Sequence, residues 1–211
     1  MARLLKVFYT RAGRIIINGL WKDNPIFCMV LGICSSLAIT NRLENGLAMG
    51  AGVTFVLVFS SLFVSLLRKV IPPRARMIAY MVLIATFVIC VDQILKAYFP
   101  DISKSMGPYV GLIITNCIIM GRAEAFAIKN GPIYSVLDAL ACGIGYSMTL
   151  IILSLVRELL AFGTLAGIKV MPSGWENWVV MASAPGGFMV LAVYLWVMRS
   201  LARIQPSKTD V

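Results

Sequence analysis

The sequence predicts an all-α integral membrane protein with six transmembrane segments, arranged as a 3+3 inverted repeat. Apolar residues make up 60% of the 211 positions, and charged residues only 13%, about half the share usual in soluble proteins. The apolar residues form runs separated by polar, glycine-rich or proline-containing breaks. A membrane-spanning helix needs roughly 20 residues, so a chain of this length accommodates about six segments.

Three parts of different composition follow one another along the chain. Residues 1–22 carry five basic side chains among apolar ones, which predicts a basic amphipathic segment on the cytoplasmic membrane surface and not a cleavable signal. Residues 23–204 form the predicted six-helix membrane domain, with halves at about 23–100 and 101–204. Residues 205–211 are predicted to be a cytoplasmic tail.

Turn-forming residues delimit the six segments. Asn24-Pro25, Pro72-Pro73 and Asn130-Gly131-Pro132 mark breaks between apolar runs, and residues 161–177 form the longest predicted loop. The segments are predicted at Pro25–Thr40, Leu43–Leu67, Ala75–Tyr98, Pro108–Met120, Ile133–Val156 and Trp178–Met198.

Basic residues between the segments indicate the orientation of the chain. With a cytoplasmic N-terminus, fourteen Lys and Arg residues fall on the inner side and five on the outer side. An excess of basic residues marks the cytoplasmic side of membrane proteins. Both termini are therefore expected in the cytoplasm.

The first and fourth segments are too short for ordinary membrane helices. They contain about 16 and 13 residues, whereas the hydrocarbon core is roughly 30 Å thick. Each opens one set of three segments, and the odd number inverts the second set relative to the first. Short segments at matching positions of inverted repeats point to a central functional site, so we expect half-helices there. Two ordinary helices with polar ends are the alternative interpretation.

Two cysteines occupy corresponding positions in these short segments. Cys34 lies in the first and Cys117 in the fourth, and an inverted repeat brings such positions together near the bilayer centre. Two thiolates cannot complete a four-coordinate iron or zinc site, so a second protein would supply the remaining ligands. Cys28, Cys90 and Cys142 are interpreted as small buried side chains. The chain contains no histidine, and a disulfide framework is not expected.

Carboxylates in membrane segments are the other functional candidates, because burying a charge in hydrocarbon is costly. Asp92, Asp138 and Glu124 are candidates for an ion pathway. Asp92 precedes Lys96 by four residues, so an interfacial ion pair is an equally good interpretation. Glu158, beside Arg157, is expected at a solvated helix end.

Other polar features narrow the possible functions. Asn116 lies inside the short fourth segment and is expected to bond a neighbouring helix or line a polar site. The net charge of +10 is distributed between apolar segments, which argues against nucleic-acid binding. The sequence has no glycine-rich nucleotide loop after a strand pattern and no triad of the usual kind, so no catalytic residues are assigned.

One stretch closely resembles the signature of the NqrDE/RnfAE family of membrane subunits. It runs from Gly111 to Ala127, with the sequence GLIITNCIIMGRAEAFA. Residues 24–40 are similar to the first segment of that family. Residues 91–104, VDQILKAYFPDISK, are most similar to the branch found in the Na⁺-translocating NADH:ubiquinone reductase. The resemblance covers about residues 20–204.

The resemblance implies a subunit of a six-subunit translocase of the bacterial inner membrane that couples electron transfer to Na⁺ export. It implies a [2Fe–2S] cluster held by two cysteines from this chain and two from a homologous NqrE-like subunit of inverted topology. The corresponding residues here are Cys34 and Cys117. It also implies that flavin and NADH bind to other subunits, and that this chain has no complete active site of its own.

Three alternatives remain at this point. An RNF-type subunit would serve exchange between ferredoxin and NAD. A secondary transporter with inverted repeats would need no metal. A purely structural anchor would tolerate serine at Cys34 and Cys117.

Overall fold

A computed structural model describes residues 13, 26, 31–98, 107–165, 168–169 and 178–202. Apart from Gly13, the predicted amphipathic segment lies outside the described residues, as does the predicted tail. The helices within these residues are α1 Ile33–Ile39, α2 Leu43–Leu67, α3 Arg76–Tyr98, α4 Gly111–Ile114, α5 Cys117–Arg122, α6 Pro132–Phe162, α7 Val179–Ala182 and α8 Ala184–Ala202.

Three of these helices are long and apolar enough to cross a membrane. They are α2, α3 and α6, whose most apolar windows have mean hydropathies of 2.2, 2.2 and 2.0. The bounds predicted for α2 are confirmed, and α3 begins one residue later than expected. α6 is longer than predicted: it begins with Pro132 in its first turn and continues to Phe162, where Gly163 adopts a left-handed φ of 64°.

The centre of the fold is the contact between α2 and α6, where small residues allow the two backbones to approach closely. A Cβ added at Gly50 would lie 2.9 Å from Ser147 Oγ, and one added at Gly143 would lie 2.7 Å from Thr54 Cγ2. The hydroxyls of Thr54 and Ser147 are 3.2 Å apart. Glycine is therefore required on both sides of this contact.

α3 packs on the side of α2 and presents its other face outward. Phe87 contacts Phe59 and Phe63 with ring centroids 5.9 Å and 5.3 Å away. On the outward face of α3, large apolar side chains such as Ile78 and Val82 are exposed. Such a face fits a hydrocarbon environment, in which apolar side chains need no cover.

The first and fourth predicted segments contain short helices. α1 has seven residues, and the fourth segment divides into α4 and α5, of four and six residues. A π-helical turn, Ala123–Ala127, follows α5. The sixth segment also divides, with α7 and α8 separated at Ser183, which was not predicted. The inverted repeat as a whole stays a prediction.

A short antiparallel ladder follows α6 within the predicted loop 161–177. Strand β1, Thr164–Leu165, pairs with β2, Ile168–Lys169. A 3₁₀ turn at Gly107–Tyr109 precedes α4. These elements complete the part of the chain that the structure describes.

Candidate functional site

Cys34 lies two residues after a glycine with left-handed backbone geometry. Gly32 has φ 83° and stands at the N-terminus of α1. Its carbonyl accepts hydrogen bonds from the hydroxyls of Ser35 at 3.0 Å and Ser36 at 2.8 Å. These bonds fix the first turn of α1, where the Cys34 side chain is exposed.

Cys117 is the first residue of α5 and follows a break in the fourth segment. Asn116 leaves the helical conformation with φ −67° and ψ 116°. Its side-chain oxygen accepts a hydrogen bond from the Ile118 N–H at 3.1 Å. Asn is among the preferred residues at a helix N-cap, so the local sequence accounts for the restart of the helix. The Cys117 side chain is half-buried.

The two breaks lie against each other. The Gly32 N–H donates a hydrogen bond to Cys117 Sγ at 2.9 Å, and Asn116 Nδ2 donates to Ser35 Oγ at 3.4 Å. A Cβ at Gly32 would lie 2.5 Å from Ile118 Cδ1, and its φ of 83° is one that other residues rarely adopt, so glycine is favoured here. The expected bond from Asn116 to a neighbouring helix is confirmed.

Tyr146 forms the third wall of this contact. It comes from the middle of α6, is fully buried, and its hydroxyl lies 2.6 Å from Ser35 Oγ. Sequence reasoning missed this residue. The sequence did offer a signal for it, because a tyrosine stands between Gly145 and Ser147 within an apolar helix. A tyrosine hydroxyl buried there needs a hydrogen-bond partner.

The chemistry available at the paired breaks is that of two soft sulfur ligands. Thiolates bind iron–sulfur clusters and zinc, and backbone N–H bonds to sulfur are among the interactions that tune such centres. Among the described residues, no group of three or more His, Cys, Asp or Glu side chains could hold a metal. Thiols such as those of Cys34 and Cys117 are the type of ligand that an iron–sulfur centre uses, and their role as ligands stays a prediction.

The other cysteines have different surroundings. Cys142 is fully buried in α6, which confirms its interpretation as a small buried side chain. Cys90 is exposed on α3, so that interpretation is wrong for Cys90 in this chain. Cys28 lies outside the described residues. The four cysteines in the described part of the chain are free thiols, as expected.

An open cleft of about 440 Å³ begins at Cys117 and extends along α5. It is lined by Met77, Cys117, Met120, Gly121, Glu124, Ala125 and Lys129. The Glu124 carboxylate accepts hydrogen bonds from the Tyr80 hydroxyl at 2.9 Å and from Arg76 Nη1 at 3.4 Å. One of the three predicted acidic residues thus shares a cleft with a predicted ligand.

Asp138 is paired inside the protein. Its carboxylate accepts two hydrogen bonds from Arg122, one of them 3.0 Å from Nε to Oδ2. The two residues are 4% and 6% exposed, and the Arg122 guanidinium lies 5.7 Å from the Phe126 ring centroid. Since Arg122 ends α5, this pair fixes the helix that carries Cys117 to α6.

Asp92 lies near the C-terminal end of α3, where it pairs with a lysine one turn later. Lys96 Nζ is 2.5 Å from Asp92 Oδ2, and the two side chains are 57% and 20% exposed respectively. This geometry matches the interfacial ion pair expected for residues four apart on a helix. A place for Asp92 on an ion pathway stays a prediction.

The expectation of a solvated end at Arg157 and Glu158 is wrong. The two residues are only 2% and 4% exposed, because α6 continues to Phe162 and the short helices pack around it. Glu158 Oε2 accepts a hydrogen bond from the Leu43 N–H at 2.8 Å, and Arg157 Nη1 donates to the Leu37 carbonyl at 2.9 Å. Backbone groups left unpaired at helix ends provide these partners.

Comparison with known proteins identifies the family of this chain. The D subunit of the Na(+)-translocating NADH-quinone reductase from Chlamydia felis is 45% identical over 195 residues, covering 88% of this chain and 92% of the relative. The equivalent D subunit from Yersinia enterocolitica is 45% identical over 201 residues, covering 92% and 96%. Residues 12–195 match the family described as "Rnf-Nqr subunit, membrane protein". The chain therefore belongs to the Rnf-Nqr family of membrane-protein subunits.

Proposed function

We propose that this chain is the D-type membrane subunit of a Na⁺-translocating NADH:quinone reductase, and that it relays electrons through a [2Fe–2S] cluster shared with a homologous subunit. The observation that carries the proposal is the meeting of the two helix breaks, with Cys117 Sγ bonded to the Gly32 N–H at 2.9 Å. The names of the relatives support the complex, and the paired breaks support the cluster.

Cys34 and Cys117 would hold the cluster from this side. A [2Fe–2S] centre needs four protein ligands, and this chain offers two thiols from matching segments. The exposed Cys34 side chain is accessible to a partner subunit. When bound, the cluster would supply one-electron transfer within the membrane.

The surrounding residues fix the positions of these ligands. The Gly32 N–H stabilises negative charge on the Cys117 sulfur, because an N–H donor is favourable beside a thiolate. Behind it, Ile113, Ile118 and Ile119 are fully buried and apolar. The hydroxyls of Ser35 and Tyr146 bond each other and keep the first turn of α1 in register with α6.

Electron paramagnetic resonance of the reduced complex at low temperature tests the cluster assignment. We expect Cys34→Ser and Cys117→Ser each to remove the signal of the centre and most quinone reduction. Cys90→Ser, on the exposed face of α3, is the matched control and should change neither. A signal that persists in the double variant would refute the assignment, and full activity of that variant would favour a structural anchor.

Na⁺ export is the second part of the proposal, and Glu124 is the acidic residue best placed for it. It shares the open cleft with Cys117, and carboxylate oxygens are suitable ligands for hard cations. Asp138 is held in a buried pair with Arg122, whereas the pair of Glu124 with Arg76 is partly exposed, and Asp92 lies near the end of α3. A cation bound at Glu124 would be attracted more strongly when a cluster held at Cys117 gained an electron, because unlike charges attract.

Sodium uptake into proteoliposomes tests this role for Glu124. We expect Glu124→Gln to lower the rate of Na⁺ uptake per electron transferred, while the cluster signal stays at the wild-type level. Glu44→Gln removes an exposed carboxylate from the first turn of α2 and serves as the control. Equal uptake by Glu124→Gln and the wild type would exclude Glu124 from the pathway.

An RNF-type subunit is the alternative within the family, whose description covers both kinds of complex. The flavoprotein subunits that copurify with this chain distinguish the two, since one complex reduces quinone and the other exchanges electrons with ferredoxin. A secondary transporter would contain no iron in the purified complex.

A further inference from the structure

Arg157 is a buried cation near the C-terminal end of α6. It is 2% exposed and ranks among the largest fully buried side chains of the described residues. A guanidinium carries five N–H donors in a fixed plane. Inside a membrane protein such a group must face the interior and find acceptors there.

Two of its acceptors lie at the C-terminal end of α1, the helix that carries Cys34. Arg157 Nη1 donates to the Leu37 carbonyl at 2.9 Å and to Thr40 Oγ1 at 2.6 Å. The last carbonyls of a helix lack intrahelical partners, and the helix end carries partial negative charge. The cation is therefore complementary to the end of α1 in both hydrogen bonding and charge.

Two further acceptors lie at the break of the sixth segment. Arg157 Nε donates to the Met181 carbonyl and Nη2 to the Ser183 carbonyl, each at 3.3 Å. Ser183 separates α7 from α8 with φ −78° and ψ 165°. The same guanidinium thus binds the ends of two short helices that are distant in sequence.

Neighbouring residues restrict where the guanidinium can lie. A Cβ at Gly187 would come within 3.1 Å of Arg157 Cζ and of Leu37 Cδ2, so α8 packs directly against the guanidinium and α1. Next to it, Glu158 accepts from the Leu43 N–H, which begins α2. Arg157 and Glu158 together hold both sides of the turn between α1 and α2.

We propose that Arg157 is a positioning residue that fixes the Cys34 helix to the Ser183 break, so that these two parts of the chain hold one geometry around the proposed cluster. The effect on the cluster rests on the proposed function, whereas the link between α1 and the break does not. Arg157 acts through the backbone of α1 and is not itself a ligand.

Arg157→Lys in the full complex is the first test. Lysine keeps the charge, but its three N–H donors share one nitrogen. It therefore cannot bond four acceptors that surround a planar guanidinium. Hydrogen exchange measured by mass spectrometry should rise about tenfold in peptides covering 33–43 and 179–187, because their end bonds are lost. Arg68→Lys, at an exposed arginine bonded to the Asn130 carbonyl, should leave both regions unchanged.

Thr40→Val is the milder second test. It removes one acceptor of Arg157 and leaves the residue volume almost unchanged. Thr40 Oγ1 also donates to the Ser36 carbonyl at 2.5 Å, so Thr86→Val is the matched control. Thr86 donates to Val82 in the same i−4 pattern at 2.9 Å, on the exposed part of α3. Only Thr40→Val should increase exchange in both regions.

The second readout is the reduction potential and g-values of the cluster in the same variants. Faster exchange in both regions, together with a shifted potential, supports the proposal. Faster exchange with a wild-type potential and wild-type g-values overturns the positioning role. Wild-type exchange in either region overturns the link itself. Arg157→Lys could also fail to assemble. If Thr40→Val then shows wild-type exchange and a wild-type reduction potential, Arg157 has only a general structural role.

A wild-type complex without a cluster signal would refute the proposed function and not this link. Exchange in the 33–43 and 179–187 peptides would then decide the link alone. A rise in both regions would support it, and a rise in one or neither would overturn it.

Discussion

Asp138 places a carboxylate where water does not reach, and Arg122 supplies the opposite charge that makes this possible. Each oxygen of the carboxylate accepts one guanidinium N–H. Removing one partner of a buried pair leaves the other charge desolvated and uncompensated. The net stabilisation from the Asp138–Arg122 pair is thus smaller than the destabilisation that follows when one partner is removed.

Asp138→Asn is expected to destabilise the protein by about 3–5 kcal/mol, because it leaves Arg122 without a counter-charge. Asp92→Asn makes the same chemical change in an exposed i,i+4 pair, for which the expected loss is about 0–1 kcal/mol. Thermal unfolding of the purified complex measures both. Equal unfolding temperatures for the two variants would show that burial does not govern the Asp138 pair.

Some residues of the site could be predicted from the sequence, and others could not. Cys34 and Cys117 stood out in the sequence because two short segments occupy matching positions, and their role as ligands stays a prediction. Arg157 and Glu158 were misjudged because their partners are backbone groups at helix ends, and these depend on how α1 and α7 pack. Tyr146 was missed for the same reason, since its partner Ser35 is 111 residues away.

Among the helices, α2 and α6 depend on each other most. Their facing glycines bring the backbones close, and hydroxyl groups such as Thr54 and Ser147 lie in the contact. Small-residue packing of this kind replaces the hydrophobic effect, which does not drive helix association in lipid. The site depends on this contact because α6 carries Tyr146, Asp138 and Arg157.

Gly50→Val is expected to force α2 and α6 apart, since even a Cβ at this position would lie 2.9 Å from Ser147 Oγ. Overpacking of this type costs about 1–3 kcal/mol. The adjacent Ala51→Val, at an exposed position of α2, is the control. Yield of the folded complex in the membrane and its unfolding temperature should fall for Gly50→Val alone. A comparable loss with Ala51→Val would indicate a general effect on α2.

Element positions were more predictable than element details. The long helices followed from uninterrupted apolar runs bounded by proline and basic residues. The extension of α6 to Phe162 was missed because Arg157 and Glu158 resemble a helix end in sequence, yet they are covered by other parts of the chain. The break at Ser183 was missed although Pro185, Gly186 and Gly187 follow it, because proline is also common in the first turn of a helix and no charge lies nearby.

At the scale of the whole molecule, orientation in the membrane follows from charge. Fourteen basic residues on one predicted side against five on the other predict that both termini are cytoplasmic. The buried position of Arg157 removes it from the solvated outer loops, which strengthens the bias.

Reporter fusions test this orientation. A green fluorescent protein fused after residue 211 should fluoresce, and an alkaline phosphatase at the same place should be inactive, because each enzyme or fluorophore matures on one side of the membrane only. A phosphatase fused after Lys104, on the predicted outer side, is the positive control. An active C-terminal phosphatase would invert the topology and the side assigned to each half-helix.

Arg157 lies nineteen positions after Asp138 in the uninterrupted helix α6, which corresponds to about 28 Å along the axis and a net rotation of about 100°. Tyr146 falls between them in phase, roughly 20° from Arg157. Inserting or deleting a single residue anywhere in this interval would rotate one anchor by about 100° relative to the other. Neighbouring side chains can repack around a substitution in this interval, but repacking cannot compensate for an inserted or deleted residue. The number of residues between Asp138 and Arg157 is therefore constrained, and natural variation in length should be confined to the loops outside this interval.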